Sequence, residues 1–251
     1  MTRDSLEKYL NTLLETKTIK DYCPNGLQVE GKKEIKTIVT GVTACQKLLD
    51  AAIESHADAI LVHHGYFWKG EAYPITGIKK KRISSLIKHN INLFAYHLPL
   101  DIHPLYGNNV QLAQRLNIQN LCAFDTGTDP SYGIIGKLNH PLSLESFSKE
   151  IVATLNRDPL VIQANNNPIK KVAICTGGAQ DFLENAALAG ADLYISGEIS
   201  ERTTHSALEG NINYISAGHH ATERYGIQAL GNHLSDKFDI NHTFIDIHNP
   251  A

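Results

Sequence analysis

The chain has no run of 18 uninterrupted apolar residues, so nothing in it crosses a membrane as a helix. Its start, MTRDSLEKYLNTLL, mixes charges into apolar positions where a secretory leader would show a cationic stretch and then an apolar one, which predicts a cytoplasmic protein. Cysteine is scarce. Cys23, Cys45, Cys122 and Cys175 stand far apart with no C-x-x-C pair, which excludes a zinc ribbon and a redox pair and predicts reduced, small core residues. Charge of one sign is also missing: 23 basic against 26 acidic residues leave a net charge of −3, so direct nucleic-acid binding is disfavoured. The one basic run, Lys79 to Arg82, reads as a solvated face. No P-loop is present. The turn Thr176-Gly177-Gly178 is the nearest thing to a phosphate cradle, and tight turning explains it as well as an anion at a helix N-terminus does.

What remains is ordinary globular material: 251 residues, 42% hydrophobic and 20% charged, enough for one large α/β unit or two modest ones. A chain of this size folds without a structural metal, so any metal serves function. Residues 4–15 read as an amphipathic helix, with Asp4 and Glu7 spaced as a capping box, and the loop DYCPNG follows. A strand at 37–40, a helix over 44–55 and a strand at 59–62 form a βαβ pattern, which predicts parallel strands. A helix near 80–89, the buried strand INLFAY and a helical VQLAQRL complete the series.

The series then recurs. QKLLDAAIESHADAILVHHG (46–65) aligns without gaps on QDFLENAALAGADLYISGEI (180–199), keeping Gln46/Gln180, Leu49/Leu183, Ala52/Ala186, Ala57/Ala191 and Asp58/Asp192. NINLFAYHLPLD (90–101) matches NINYISAGHHATE (211–223) with one insertion. The chain therefore reads as a duplication of about residues 36–116 on 171–234. Residues 125–168 read as an intervening, less catalytic part.

Histidine is the outlier, with 13 in the chain, and its clusters stand at the carboxyl ends of expected strands, where open α/β sheets bind ligands. His63-His64 follows AILV, His97-Leu-Pro-Leu-Asp101 follows NLFAY, and His219-His220-Ala-Thr-Glu223 follows NYISAG. Taken singly, each histidine is as well explained by a capped strand end or a core imidazole bonded to backbone. Together they are not, because the repeat superposes His97 and Asp101 on His219 and Glu223, so each copy offers one His-x-x-x-carboxylate. With His63 and His64 that makes five or six N/O ligands, too many for one tetrahedral ion and suited to two divalent ions bridged by a carboxylate. With no cysteine among them, Zn, Fe, Mn, Co and Ni all remain open. Gly65 and Gly218 are expected to let backbone approach the imidazoles. Tyr66, Phe67 and Trp68, beside His64, are expected to line the site.

The strings GVTACQ, LVHHGYFWKGE, YHLPLDIHPLYGNN, SGEISERTTH and SAGHHATERYG resemble the motifs of the GTP cyclohydrolase I type 2 homologue family, also called the Nif-three-like dinuclear-metal family. NGLQVEG (25–31) and the ending FIDIHNPA fit too, so the resemblance runs end to end and is closest to the short bacterial form, described in some organisms as a radiation-resistance protein. It implies a dinuclear centre on His63, His64, Asp101, His219 and Glu223, with His97 as a ligand or a supporting residue. It implies two interleaved, duplicated α/β units with mixed, mostly parallel sheets and helices on the faces. The expected division is 1–124 with 197–251 as the metal-binding domain and 125–196 as the second. The resemblance further implies a toroidal homohexamer and a small-molecule substrate, which the family name makes a nucleotide, with water attacking C8 of the guanine ring of GTP and releasing formate. His97, Glu198 and His205 are then the candidates for moving protons. A phosphoesterase or amidohydrolase would use the same ligands, and a metal-ordered scaffold without turnover stands as the non-enzymatic alternative.

Overall fold

The computed structural model describes residues 1–251. Ten elements run in the order α1 (Arg3–Leu13), β1 (Gly26–Val29), β2 (Thr37–Thr43), α2 (Gln46–Glu54), β3 (Ala59–His64), α3 (Gly77–His89), β4 (Asn92–Ala95), α4 (Leu98–Asp101), α5 (Asn108–Arg115) and β5 (Gln119–Phe124). After β6 (Gly133–Leu142) the same order of ten repeats: α6 (Leu144–Leu155), β7 (Leu160–Ile162), β8 (Ile169–Cys175), α7 (Leu183–Leu188), β9 (Leu193–Ser196), α8 (Glu201–Glu209), β10 (Asn213–Ser216), α9 (His219–Thr222), α10 (Arg224–Phe238) and β11 (Asn241–Phe244). The duplication thus starts earlier than the residues 36 and 171 read from sequence. Its first two elements, α1-β1 and α6-β7, share too little sequence to align.

The chain forms two compact units, Met1–Tyr106 with Gly226–His248, and Gly107–Tyr225 with Asn249–Ala251. Each sheet has three parallel strands at its centre, β4-β3-β2 in one and β10-β9-β8 in the other, with β1 antiparallel to β4 and β7 antiparallel to β10. The last helix and strand of each repeat join the other unit's sheet: β11 pairs with β2, and β5 pairs with β6, which is inserted beside β8. The chain changes units at the same dipeptide twice, Tyr106-Gly107 and Tyr225-Gly226.

That exchange moves the boundaries from the expected ones. Residues 107–124 and 197–225, expected with the first domain, belong to the second unit, because β5 is hydrogen-bonded to β6 and β10 lies between β9 and β7. The segment 125–168 is likewise no separate insert. It supplies β6, the counterpart of α1-β1, and one wall of the second unit's core.

Each sheet is covered on both faces, which is why its central strands are nearly continuous apolar runs. In the first unit Val39, Ile60, Val62 and Leu93 pack under α2 and α3, while Ile38, Leu61, Phe94 and Tyr96 pack under α1 and α10. In the second, Val172, Ile174 and Ile195 face α5 and α6, and Tyr194 and Tyr214 face α7 and α8. Burying one such Leu or Phe side chain contributes about 1.5–3 kcal/mol. Helix α1 is capped by Thr2, whose hydroxyl accepts from Ser5 N (3.2 Å). The expected Asp4–Glu7 box does not form, because Glu7 Oε1 accepts Leu27 N (3.1 Å) and ties α1 to β1 instead. Of the cysteines, Cys23 and Cys175 are buried, Cys45 is half-buried and Cys122 is exposed on edge strand β5, which corrects the expectation of four core thiols. No helix is long and apolar enough to cross a membrane.

Candidate metal centre

In the first unit the functional side chains collect where β3 and β4 end. His63 and His64 are the last residues of β3, and strand alternation would send them to opposite faces. The end of the strand relaxes this, and their ring centroids lie 4.6 Å apart. His97 precedes α4, whose single turn carries Asp101 back toward β3. The His97 ring centroid is 5.1 Å from that of His63 and 5.7 Å from that of His64, and ligand nitrogens of the three rings lie within 4.8 Å of one another.

Each ring is oriented through Nδ1. His63, fully buried, donates Nδ1–H to the Tyr96 carbonyl (3.0 Å), and His97 donates Nδ1–H to Asp21 Oδ1 (2.9 Å). His64 Nδ1 shares a hydrogen bond with the Thr43 hydroxyl (3.2 Å). Imidazoles that ligate metals are held in this way, the partner at one nitrogen fixing tautomer and ring direction for the other. His63 Nε2 then stands 3.4 Å from Asp101 Oδ1. This is long for a hydrogen bond, yet two donors on one tetrahedral ion at about 2.0–2.1 Å would be about 3.3 Å apart.

Asp21 comes from the DYCPNG loop. Its Oδ1 also accepts Tyr22 N (2.7 Å), and its Oδ2 accepts Leu98 N (3.0 Å) and Asn25 Nδ2 (2.9 Å), while Asn25 Oδ1 accepts His97 N (2.8 Å). Burial alone would raise the carboxyl's pKa, but the bonds from His97, Asn25 and Tyr22 outweigh it and hold the value down to about 2. Asp21, Cys23 and His97 also cluster within ligand distance. Asp21 is already committed to orienting His97, however, and burial with the neighbouring carboxylates pushes the Cys23 thiol far above its ordinary value. Of the aromatic trio only Trp68 reaches the imidazoles, edge-on to His97 at 4.9 Å and 5.8 Å from His64. Tyr66 turns inward and donates its hydroxyl to Ala44 O (2.9 Å), and Phe67 sits under Lys79.

In the second unit the corresponding strand ends hold His219, Glu223 and Glu198. His219 opens α9 after Gly218, and Glu223 closes it, one turn later and 2% exposed. His219 Nδ1 bonds Glu198 Oε1 at 2.7 Å, and its Nε2 lies 3.2 Å from Glu223 Oε2. Burial lowers the affinity of His219 for a proton, but Glu223 and Glu198 more than compensate and raise its pKa to about 9. Gly177, at φ +71, closes the turn after β8 against the carboxylate: a Cβ there would collide with Glu223 Oε1 and stand 3.2 Å from His219 Nε2. Its N–H goes to Thr222 Oγ1 (3.1 Å), and Glu198 flanks Gly178, so this turn packs against His219, Glu223 and Glu198. His205 lies exposed on α8. The expectation that Gly65 and Gly218 admit backbone beside the imidazoles is corrected: Gly65 makes room for the Gln28 side chain, and Gly218 for the guanidinium of Arg157.

Clustered imidazoles and carboxylates, their rings oriented by hydrogen bonds, fit divalent cations in N/O coordination. Asp21, Asn25 and Arg157 escaped the sequence reading. The only signal for the first two was an Asp and an Asn spaced by four in a Pro-Gly turn.

A family model described as Duf34/NIF3 (NGG1p interacting factor 3) matches residues 1–250. The chain is 55% identical over 256 residues to a Vibrio cholerae serotype O1 protein named GTP cyclohydrolase 1 type 2 homolog, with all of both chains covered. Among solved structures it is similar to protein ybgI, of unknown function, with 47% identity, TM-score 0.96 and full coverage of both chains. It is also similar to a protein from Thermus thermophilus, with 33% identity, TM-score 0.91 and full coverage of both.

Proposed function

The chain belongs to the Duf34/NIF3 family, and from that premise we propose that it is a metal-dependent hydrolase whose two divalent ions are held by His63, His64, Asp101, His219 and Glu223. The observation that carries the reading is the pairing found in each unit, an imidazole fixed at Nδ1 with its Nε2 3.2–3.4 Å from a carboxylate. Bound there, a pair of cations supplies a water acidic enough to act as a nucleophile near neutral pH.

The chain's own residues do the rest. Tyr96 O, Thr43, Asp21 and Glu198 orient the imidazoles, and Trp68 packs edge-on against His97. His97, whose Nδ1–H is committed to Asp21, presents a basic nitrogen for a proton or an ion. Glu198, bonded to His219, is a positioning residue in this scheme. The substrate is a small molecule, and the names of the relatives favour a purine nucleotide whose imidazole ring is opened with loss of formate. Exposed Tyr73, Ile75 and Ile78, close in sequence on the segment leading into α3 and on its first turn, support self-association, which we read as the homohexamer.

The test is elemental analysis of protein purified without chelator, followed by formate release from GTP under the metal found. Two ions per chain and metal-dependent formate are expected. Two ions without formate would remove the nucleotide and keep a dinuclear site of another hydrolase or of a scaffold. Absence of metal after reconstitution would remove the whole reading.

A further inference from the structure

In the second unit a guanidinium lies against the metal-binding turn with nothing to neutralise it. Arg157 follows the C-terminus of α6, where Asn156 takes a left-handed conformation and turns the chain. It packs onto Gly218, the residue before His219, so closely that a Cβ at Gly218 would lie 2.8 Å from Arg157 Cζ and 2.9 Å from its Nε. Gly218 has φ +99, so both the conformation and the space call for glycine. Arg157 Nε and Nη1 are buried and meet no hydrogen-bond acceptor. Arg157 forms no ion pair with a carboxylate, and Glu198 and Glu223 are engaged with His219.

A carboxylic acid or a lysine in such a place would shed its charge. A guanidinium does not deprotonate in proteins, so desolvation without a partner is a standing cost that an anion offsets. The loop is held firmly enough for its side chain to keep its position. Arg224 donates to Leu155 O (2.7 Å) and Tyr225 to Thr154 O (2.6 Å), so the residues just after Glu223 tie down the end of α6. Arg157 itself is partly exposed, and the nitrogen not buried is Nη2, which leaves an edge of the fork reachable from solvent. The planar fork matches the paired oxygens of a phosphate or carboxylate.

We propose that Arg157 is the anion-binding residue of this site, taking a phosphate or carboxylate group of the bound small molecule beside the Gly218–His219 turn. The assignment rests on the small-molecule reading above for what the anion is attached to, and not for its chemistry.

The test is calorimetric titration of inorganic phosphate and of malonate into metal-loaded and into chelator-stripped protein, for the wild type, Arg157→Gln and Arg157→Lys, with metal content measured in each. Wild type should bind at least one of the two anions, Arg157→Gln should bind it at least tenfold more weakly at unchanged metal content, and Arg157→Lys should fall between. Preference for phosphate assigns a phosphorylated ligand, and preference for malonate a carboxylated one. Affinity of Arg157→Gln within twofold of wild type, or no binding of either anion by wild type, overturns the proposal. Failure to take up metal on reconstitution with Arg157-dependent anion binding retained would sink the metal reading alone, whereas full metal with Arg157-independent binding would sink this inference alone. Should Arg157→Gln not fold, protection of wild-type Arg157 from phenylglyoxal by the same anions, read by peptide mass, decides the matter, lack of protection overturning it.

Discussion

The two units carry a similar turn after equivalent strands, and the loop that reaches each turn brings a side chain of opposite charge. In the first, the loop after α1 brings the Asp21 carboxylate to His97. In the second, the loop after α6 brings the Arg157 guanidinium to Gly218, beside His219. The strand ends differ as well: His63-His64 closes β3, while Gly197-Glu198 stands at the aligned place beyond β9. One copy is therefore rich in imidazole with an internal anion, and the other is rich in carboxylate with a cation left over. Duplication has kept the scaffold and divided the chemistry, which a pair of identical half-sites would not need.

The largest expected effect breaks the comparison at its buried carboxylates. Glu223→Ala and Asp101→Ala should each lose at least one ion per chain by elemental analysis, with circular dichroism unchanged, because each removes the buried carboxylate that faces an imidazole Nε2. Glu198→Ala, which removes an exposed partner of His219, should keep both ions. Retention of both ions by Glu223→Ala would show that the carboxylate ligand lies elsewhere. A smaller effect sharpens the contrast between braces. Asp21→Asn should weaken metal binding about 10- to 100-fold, since the buried carboxylate that orients His97, packed against His63 and His64, is replaced by a neutral group. Glu198→Gln acts on a solvated pair and should cost less than about tenfold. Competition titrations with a chromophoric chelator measure both, and equal losses would mean that burial does not separate the two braces.

The sequence made the clustered imidazoles and carboxylates legible because they sit where regular structure ends. A strand pattern followed at once by His-His, or by His-x-x-x-Asp, needs only the period of two and the rule that α/β sheets bind ligands at their carboxyl ends. The repeat was legible over β2 to β4 because its retained residues are framework. Asp58 and Asp192 each accept two backbone N–H groups at the start of the preceding strand, and Asn92 and Asn213 each tie down a neighbouring loop. The loop side chains that reach these turns were not legible. Asp21 and Arg157 lie in loops of different length, between Leu13 and Gly26 and between Leu155 and Leu160, where no period guides alignment. Unit boundaries were hidden for another reason: a helix-strand pair that joins its own sheet and one that joins the other have the same amphipathic pattern, so α5-β5 and α10-β11 carry no sign of the exchange.

The smallest effect concerns that framework. Asp58 and Asp192 make the same two backbone bonds, but Asp58 adds an ion pair with Lys32 at 2.7 Å. Burial would raise the Asp58 pKa, while Lys32 and the N–H groups of Lys36 and Thr37 more than reverse this and lower it. A carboxyl whose folded pKa lies below its unfolded one stabilises the fold above the unfolded value, and that contribution disappears as pH falls through the folded value. Asp58→Asn keeps the shape and one acceptor, so it should destabilise the protein by about 1 kcal/mol at pH 7, the difference between hydrogen bonds to a charged and to a neutral group. The gap between variant and wild type, read as urea midpoints, should close as pH drops below the ordinary aspartate range. A gap that persists unchanged at pH 2 would mean that Asp58 acts through its shape, as one more acceptor in the repeat, and that the charge in the first unit is incidental to the fold.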